Sequence, residues 1–200
     1  MSWLEVNWTQ PRPATPDLAW RDVQIRARTD ALPPEVEAYL AELRRNNIHG
    51  DAVCAFFDLV GSNDFDWFAS RNRWDELGFA QGFFSHAAVQ QALPELTYKL
   101  RFEEGVAFQS SNPLTLDGEL AKSLLWGGAY EKFRGTASEA KELGSQFCAS
   151  VFGDRFLEIE VFACWNAWSE WFHDIAWDCT FLIVDRRNQS VVVLASTDTD

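Results

Sequence analysis

The chain is poor in the groups that metal and redox chemistry need. It has three histidines, standing far apart at His49, His86 and His173. Its four cysteines, Cys54, Cys148, Cys164 and Cys179, form no C-x-x-C pair and have no histidine cluster beside them. That excludes zinc-ribbon and thioredoxin-like chemistry, so neither a metal nor a cofactor is expected. Missing too are the nucleophile elbow, the P-loop, the dinucleotide glycine fingerprint and the H-E-x-x-H helix. No internal repeat is apparent. The opening residues MSWLEVNW lack a basic stretch followed by an apolar run, so no signal peptide is expected. No apolar run approaches the length of a membrane span. A cytoplasmic protein with reduced, mostly buried thiols is the simplest expectation.

Basic side chains are scarce as well. Lysine and arginine number 17 against 30 acids, giving a net charge of −13. Such a field repels nucleic-acid phosphates and anionic membrane, so neither is an expected partner. It speeds encounter with a basic protein, although solubility alone also accounts for it.

Aromatic residues are abundant: 16 Phe, 10 Trp and 3 Tyr against a single Met. With 47% apolar and 24% charged residues, the composition is that of a globular protein. At this length a chain buries about 70% of its unfolded surface and needs no staples. One domain over residues 1–200 is expected, with 1–17 as an arm or extended segment.

The fold class expected is α+β. Helices should fill the first three-quarters and pack on a C-terminal antiparallel meander with strands near 156–163, 177–184 and 190–196. Pro33 and Pro34 suit a helix start, and Val36, Leu40 and Leu43 continue it to about Asn46. Asp51 could cap a second helix to about Val60, with the following GSNDFDW a loop. The PRPATPD tract, 11–17, reads as irregular, 18–30 as strand or helix, and 62–82 gives no assignment. Ser85 could cap a helix from His86 to about Leu100, broken near Pro94. Residues 103–114 look irregular, and 117–133 helical, weakened by Gly127 and Gly128. Thr136 and Glu139 make a capping box ahead of Leu143, Phe147 and Val151, with Gly153 at the C-terminal cap. Alternation then sets in, with Leu157, Ile159 and Val161 opposite Glu158 and Glu160. The nearly all-apolar runs FLIV and VVVLA imply helices on both faces of the sheet.

Trp165, Trp168, Trp171 and Trp177 crowd into thirteen residues with Glu170, His173, Asp174 and Asp178. A short helix from Asn166 to about Asp174 would put Trp165, Trp168 and Phe172 on one face. Core packing of at least two of these indoles is the plain alternative to a binding surface. In the meander, Asp178 opens one strand, while Asp198 and Asp200 follow its antiparallel neighbour, so all three acids fall at one sheet end. A solvated strand end with an acidic tail would look the same. His173 and Asp174 lack the further ligands of a metal site, and Asn63 to Asp66 lacks the glycine and distal glutamate of a calcium loop.

The interface expected is therefore Trp165, Trp168, Trp171, Glu170, Asp174, Asp178, Asp198 and Asp200. Tryptophans make interface hot spots, and acidic rims steer toward basic surfaces. In general character, as an acidic α+β chain near 200 residues with many tryptophans, the protein resembles the bacterial immunity proteins of polymorphic toxin systems. The resemblance covers no specific residues. It implies a non-catalytic protein that binds a basic partner such as a toxin domain and blocks it by occlusion. The alternative is a carboxylate-dependent enzyme or binding module for a carbohydrate or other small polar substrate, with Glu170, Asp174 and Asp178 as the acids.

Overall fold

Residues 51–60 decide the architecture. In the computed structural model, which describes residues 3–97 and 108–200, Asp51–Val60 is a ten-residue strand rather than a helix. It is covered on both sides, with Phe57 and Leu59 in one core cluster and Ala52 in the other. A strand buried on both faces shows no alternation of polar and apolar residues, and its apolar run reads equally well as a helix.

Six strands are described: β1 (Gln24–Ala27), β2 (Asp51–Val60), β3 (Gln109–Ser111), β4 (Ile159–Cys164), β5 (Cys179–Asp185) and β6 (Ser190–Thr197). They form one antiparallel sheet in the order β1-β2-β6-β5-β4-β3. The C-terminal meander stands where the alternating stretch 156–163 and the apolar runs FLIV and VVVLA put it. Its first strand starts late, because Phe156–Glu158 is a 3-10 turn. The α+β class holds, but the N-terminal three-quarters is not purely helical: it supplies β1, β2 and β3.

The helices are α1 (Pro16–Ala19), α2 (Pro34–Asn46), α3 (Asn63–Ser70), α4 (Phe79–Ser85), α5 (Ala87–Ala92), α6 (Leu116–Trp126) and α7 (Ala137–Val151). They cover both faces of the sheet. One cluster joins α1, α3, α4 and α5 to Leu182, Val184, Val191 and Val193. The other joins α2, α6 and α7 to Phe181, Ile183, Val192 and Leu194. The alternation along β5 and β6 sends successive side chains to opposite layers.

Local chemistry explains the boundaries. The capping box is present: Glu139 N donates to Thr136 Oγ1 at 3.2 Å, and Thr136 N to a Glu139 oxygen at 2.6 Å. Gly153 takes φ +62° just past the last turn. Pro16 opens α1 inside the proline tract, at the position where its missing N–H costs nothing. The GSNDFDW segment is helical because Ser62 caps α3, accepting from Phe65 N at 3.1 Å. α5 is capped by His86 rather than Ser85, through Ala88 N to Nδ1 at 3.2 Å. The rest of that expected helix, 98–100, and the first part of the expected irregular stretch, 103–107, lie outside the described residues. α6 stops at Trp126, seven residues short of the expected end, because Gly127 turns the chain at φ +67°. Gly144 lets α7 cross α6 closely, since a Cβ there would lie 2.4 Å from Asp117 O.

The segment from Asn166 to Asp174 is not a helix. It is a run of turns in which side chains take backbone donors: Trp171 N to Ser169 Oγ at 3.3 Å, and Ile175 N to Asp178 Oδ2 at 3.1 Å. Such bonds compete with the helical ladder. The N-terminal segment is an arm packed on the body, not a strand. Trp3 is buried, and its Nε1 donates to Asp66 Oδ1 at 2.8 Å. Among the described residues no helix is long and apolar enough to cross a membrane.

Candidate functional site

At one end of the sheet β4 and β6 finish while β5 and β2 begin. The pairs Cys164 with Thr180, Cys179 with Ser196 and Asp51 with Thr197 mark that end. Three connections meet there: 47–50 between α2 and β2, 127–130 after α6, and 165–178 between β4 and β5. The tail 198–200 leaves from their midst.

Two buried carboxylates hold these loops. Asp198 is 0% exposed. Its Oδ1 accepts from His49 N at 3.0 Å and its Oδ2 from Ala129 N at 2.7 Å, so one side chain ties two loops to the end of β6. Gly128 permits the approach: a Cβ there would lie 2.2 Å from Asn46 O and 2.3 Å from Asp198 Oδ2. Asp178 is equally buried. It accepts from Thr197 Oγ1 at 2.6 Å and from Ile175 N at 3.1 Å, pinning the tryptophan-rich loop to β6. Meander topology did place Asp178 and Asp198 at one end. Their oxygens face inward and are engaged, so neither carboxylate presents itself to a partner.

The tryptophans of the cluster divide between the layers. Trp168 is 1% exposed, lies 4.2 Å from the ring of Phe84, and donates from Nε1 to Thr180 Oγ1 at 2.8 Å. Half-buried Trp171 packs on Phe172 in the same layer. Trp165 crosses to the other layer, 5.4 Å from the Phe181 ring and 6.5 Å from that of Trp126. Glu170, Asp174 and Asp200 are exposed. Of the eight residues expected at an interface, then, Trp168, Asp178 and Asp198 are interior, Trp165 and Trp171 are half-buried on opposite layers, and three acids reach solvent.

Sequence reasoning missed the aromatic surface beside them. Trp126, the last residue of α6, is 48% exposed, and Tyr130 is 59% exposed and edge-on to His49 at 4.9 Å. Ile48, the neighbour of His49 in the chain, is exposed. Reading 117–133 as one helix hid Trp126 and Tyr130. The signal was the Gly127-Gly128 pair, which ends the helix straight after a tryptophan.

Trp126, Trp165 and Trp177 roof a hollow of about 10 Å³ floored by Ser123, Cys179 and Ser196, room for about one water. The Cys179 sulfur lies 3.1 Å from Ser196 Oγ. Burial pushes this thiol up to about 11, and burial with the nearby Asp117 charge pushes Cys148 up to about 12. Burial raises Cys164 and Cys54 too. All four stay protonated at neutral pH, which does not suit a nucleophile. Among the described residues no group of three or more His, Cys, Asp or Glu could hold a metal ion. A wider open hollow of about 530 Å³ lies between α1 and α4, lined by Trp20, Asp17, Asp75, Gln81 and His86 among others.

No protein-family model, curated protein or solved structure matches the chain.

Proposed function

We propose that this protein is a binding protein that covers a basic surface of a protein partner and inhibits it by occlusion, in the manner of a bacterial toxin-immunity protein acting in the cytoplasm. The observation that carries this reading is the exposure of Trp126, at the end of α6, and of Tyr130, on the following loop that a buried carboxylate, Asp198, holds in place. Rigid aromatic side chains bury much area at little entropic cost, and such residues dominate binding energy at protein interfaces. The net charge of −13 favours a basic partner. Trp165, Glu170, Asp174 and Asp200 extend the surface, with Trp171 at its far margin; Trp168, Asp178 and Asp198 support it from beneath.

Co-purification from the native host tests this. Tagged wild-type chain, a W126A/Y130A double variant and a W8A control are compared at low and high salt. Trp8 is 81% exposed but belongs to the N-terminal arm. A basic protein should be retained by wild type and W8A, lost from the double variant, and released as salt rises. Added back, the pure chain should suppress that protein's activity. Equal retention by the double variant overturns the surface, and undiminished activity overturns the inhibition.

The small-ligand alternative is favoured by one observation, the hollow beside Trp20, whose volume lies within the usual range of ligand sites. Saturable binding from a glycan panel that W20A abolishes would support it, and no binding would discard it.

A further inference from the structure

The outer faces of Trp126 and Trp165 already hold a cation. Lys122, one turn before Trp126 on α6, places Nζ 4.3 Å from the Trp126 ring centroid and 5.5 Å from that of Trp165. Rings attract cations over their faces at such distances. The same ammonium lies 3.7 Å from a Glu119 carboxylate oxygen. The contact with Trp126 alone would be an ordinary helical i, i+4 pair. Trp165 makes it something more, because it reaches the same cation from the end of β4, a different element. Two indoles with an interplanar angle of 61° thus converge on one positive charge, with a carboxylate behind it.

The platform is held firmly. Lys132 Nζ donates to Trp126 O at 2.9 Å, and Gly127 N to Leu124 O at 3.0 Å, so the backbone under Trp126 is tied on both sides. Trp165 is braced by Phe181. The resident cation is held loosely by comparison. The Lys122 side chain is 45% exposed, and an exposed ion pair contributes little against water.

We propose that the Trp126–Trp165 pair is the receptor for a cationic side-chain group of the partner, an ammonium or guanidinium, and that Lys122 is a built-in occupant which the incoming group displaces. This deepens the binding role proposed above and rests on it. A basic partner supplies such groups in number. The arriving cation takes over both ring faces and the Glu119 countercharge, while Lys122 swings into water on its flexible stem. Neutral groups gain nothing comparable, so the pair selects for charge and Lys122 sets the threshold of binding.

The test needs no partner. Full-length wild type, K122A and K122A/W126A are titrated with tetramethylammonium chloride against matched sodium chloride, and the indole N–H signals are followed by NMR. In K122A the Trp126 and Trp165 signals should shift saturably, with half-saturation at about two- to fivefold lower concentration than in wild type, the range of an exposed cation–π contact. K122A/W126A should lose the response of Trp165. Identical titration of wild type and K122A, or a response confined to other indoles, overturns the proposal. Partner capture by Y130A, which leaves the ring pair intact, reads the binding role separately, so the two ideas fail in different experiments.

Discussion

The two faces of the sheet are packed with different materials. The layer of α1, α3, α4 and α5 is aromatic: Trp3, Trp67, Trp74 and Trp168 are buried there among Phe57, Phe65, Phe68, Phe79, Phe83 and Phe84. The layer of α2, α6 and α7 is built on Val36, Leu40, Leu120, Leu124 and Ala140, with Tyr39, Phe147 and Phe152, and has no fully buried tryptophan among the described residues. On the first side an indole is core material. On the second, exposed Trp126 and half-buried Trp165 and Trp177 line one hollow. The density of tryptophan along the chain therefore says little about function. The layer that an indole joins says much more, and within the WNAWSEW stretch the layer changes between Trp165 and Trp168.

The sharpest way to break this comparison is to truncate one indole from each layer. Trp168→Ala should cost about 3–5 kcal/mol of unfolding free energy, as expected for an aromatic removed from a filled core. It also leaves Thr180 Oγ1 without the indole donor. Trp126→Ala should stay within about 0.5 kcal/mol, as exposed substitutions usually do. Urea denaturation of both variants measures the gap. Similar losses would mean that the second layer also relies on its tryptophans for stability.

The next largest effect belongs to Asp198. Asp198→Ala removes the acceptor of the part-buried His49 and Ala129 N–H groups, and each lost bond costs about 0.5–1.5 kcal/mol. The amides of both residues should exchange with deuterium much faster. Asp198→Asn keeps one acceptor oxygen and should lose less. Unchanged exchange at Ala129 in the alanine variant would show that the loop after α6 is held by something else. Neutralising Asp178 or Asp198 thus acts on stability, whereas Glu170, Asp174 and Asp200 are exposed and placed to alter salt dependence directly.

What was legible in the chain followed from local rules. Thr136 and Glu139 announced α7, prolines announced α2, alternation announced β4, and the apolar runs FLIV and VVVLA announced β5 and β6. The misreading of 51–60 has a tertiary cause. Its partner β6 lies at the far end of the chain, and cover on both faces erases the period that marks a strand. The expected site shares its end of the sheet with the exposed aromatic residues Trp126 and Tyr130, because register alone fixes where Asp178 and Asp198 fall. Whether a carboxylate turns outward or caps a loop depends on donors such as Ala129 N, which come from distant segments. Trp126 and Tyr130 were hidden by extending a helix through two glycines, a local error that better weighting of Gly127 would have avoided.

A smaller effect sharpens the picture of the aliphatic layer. Thr136→Ala removes the acceptor for Glu139 N at the start of α7 and should cost about 1 kcal/mol. Calorimetry should register a lower melting temperature, with the aromatic layer's near-UV signal unaltered below the transition. No change in melting temperature would mean that packing of α7 against α2 and α6 fixes its start without the cap.

The smallest effect distinguishes the layers by pH. Burial pushes the Asp66 carboxyl up, outweighing the Trp3 indole hydrogen bond that favours its charge. At Asp117 burial acts in the same direction but is overcome by hydrogen bonds from Lys141 and Ser145, and the carboxyl is held below its ordinary value. The signs are opposite. Asp117 contributes stability that is present above its unfolded value and lost as pH falls through the folded one. The contribution of Asp66 is present below its unfolded value and lost as pH rises through the folded one. Asp117→Asn should therefore destabilise at neutral pH and flatten the acid limb of the stability curve. Asp66→Asn should be neutral or slightly stabilising at neutral pH, since an amide still accepts from Trp3 without the cost of a buried charge. Urea unfolding across a pH series reads both. Equal losses at neutral pH would mean that the indole hydrogen bond at Asp66, rather than its burial, governs that carboxylate.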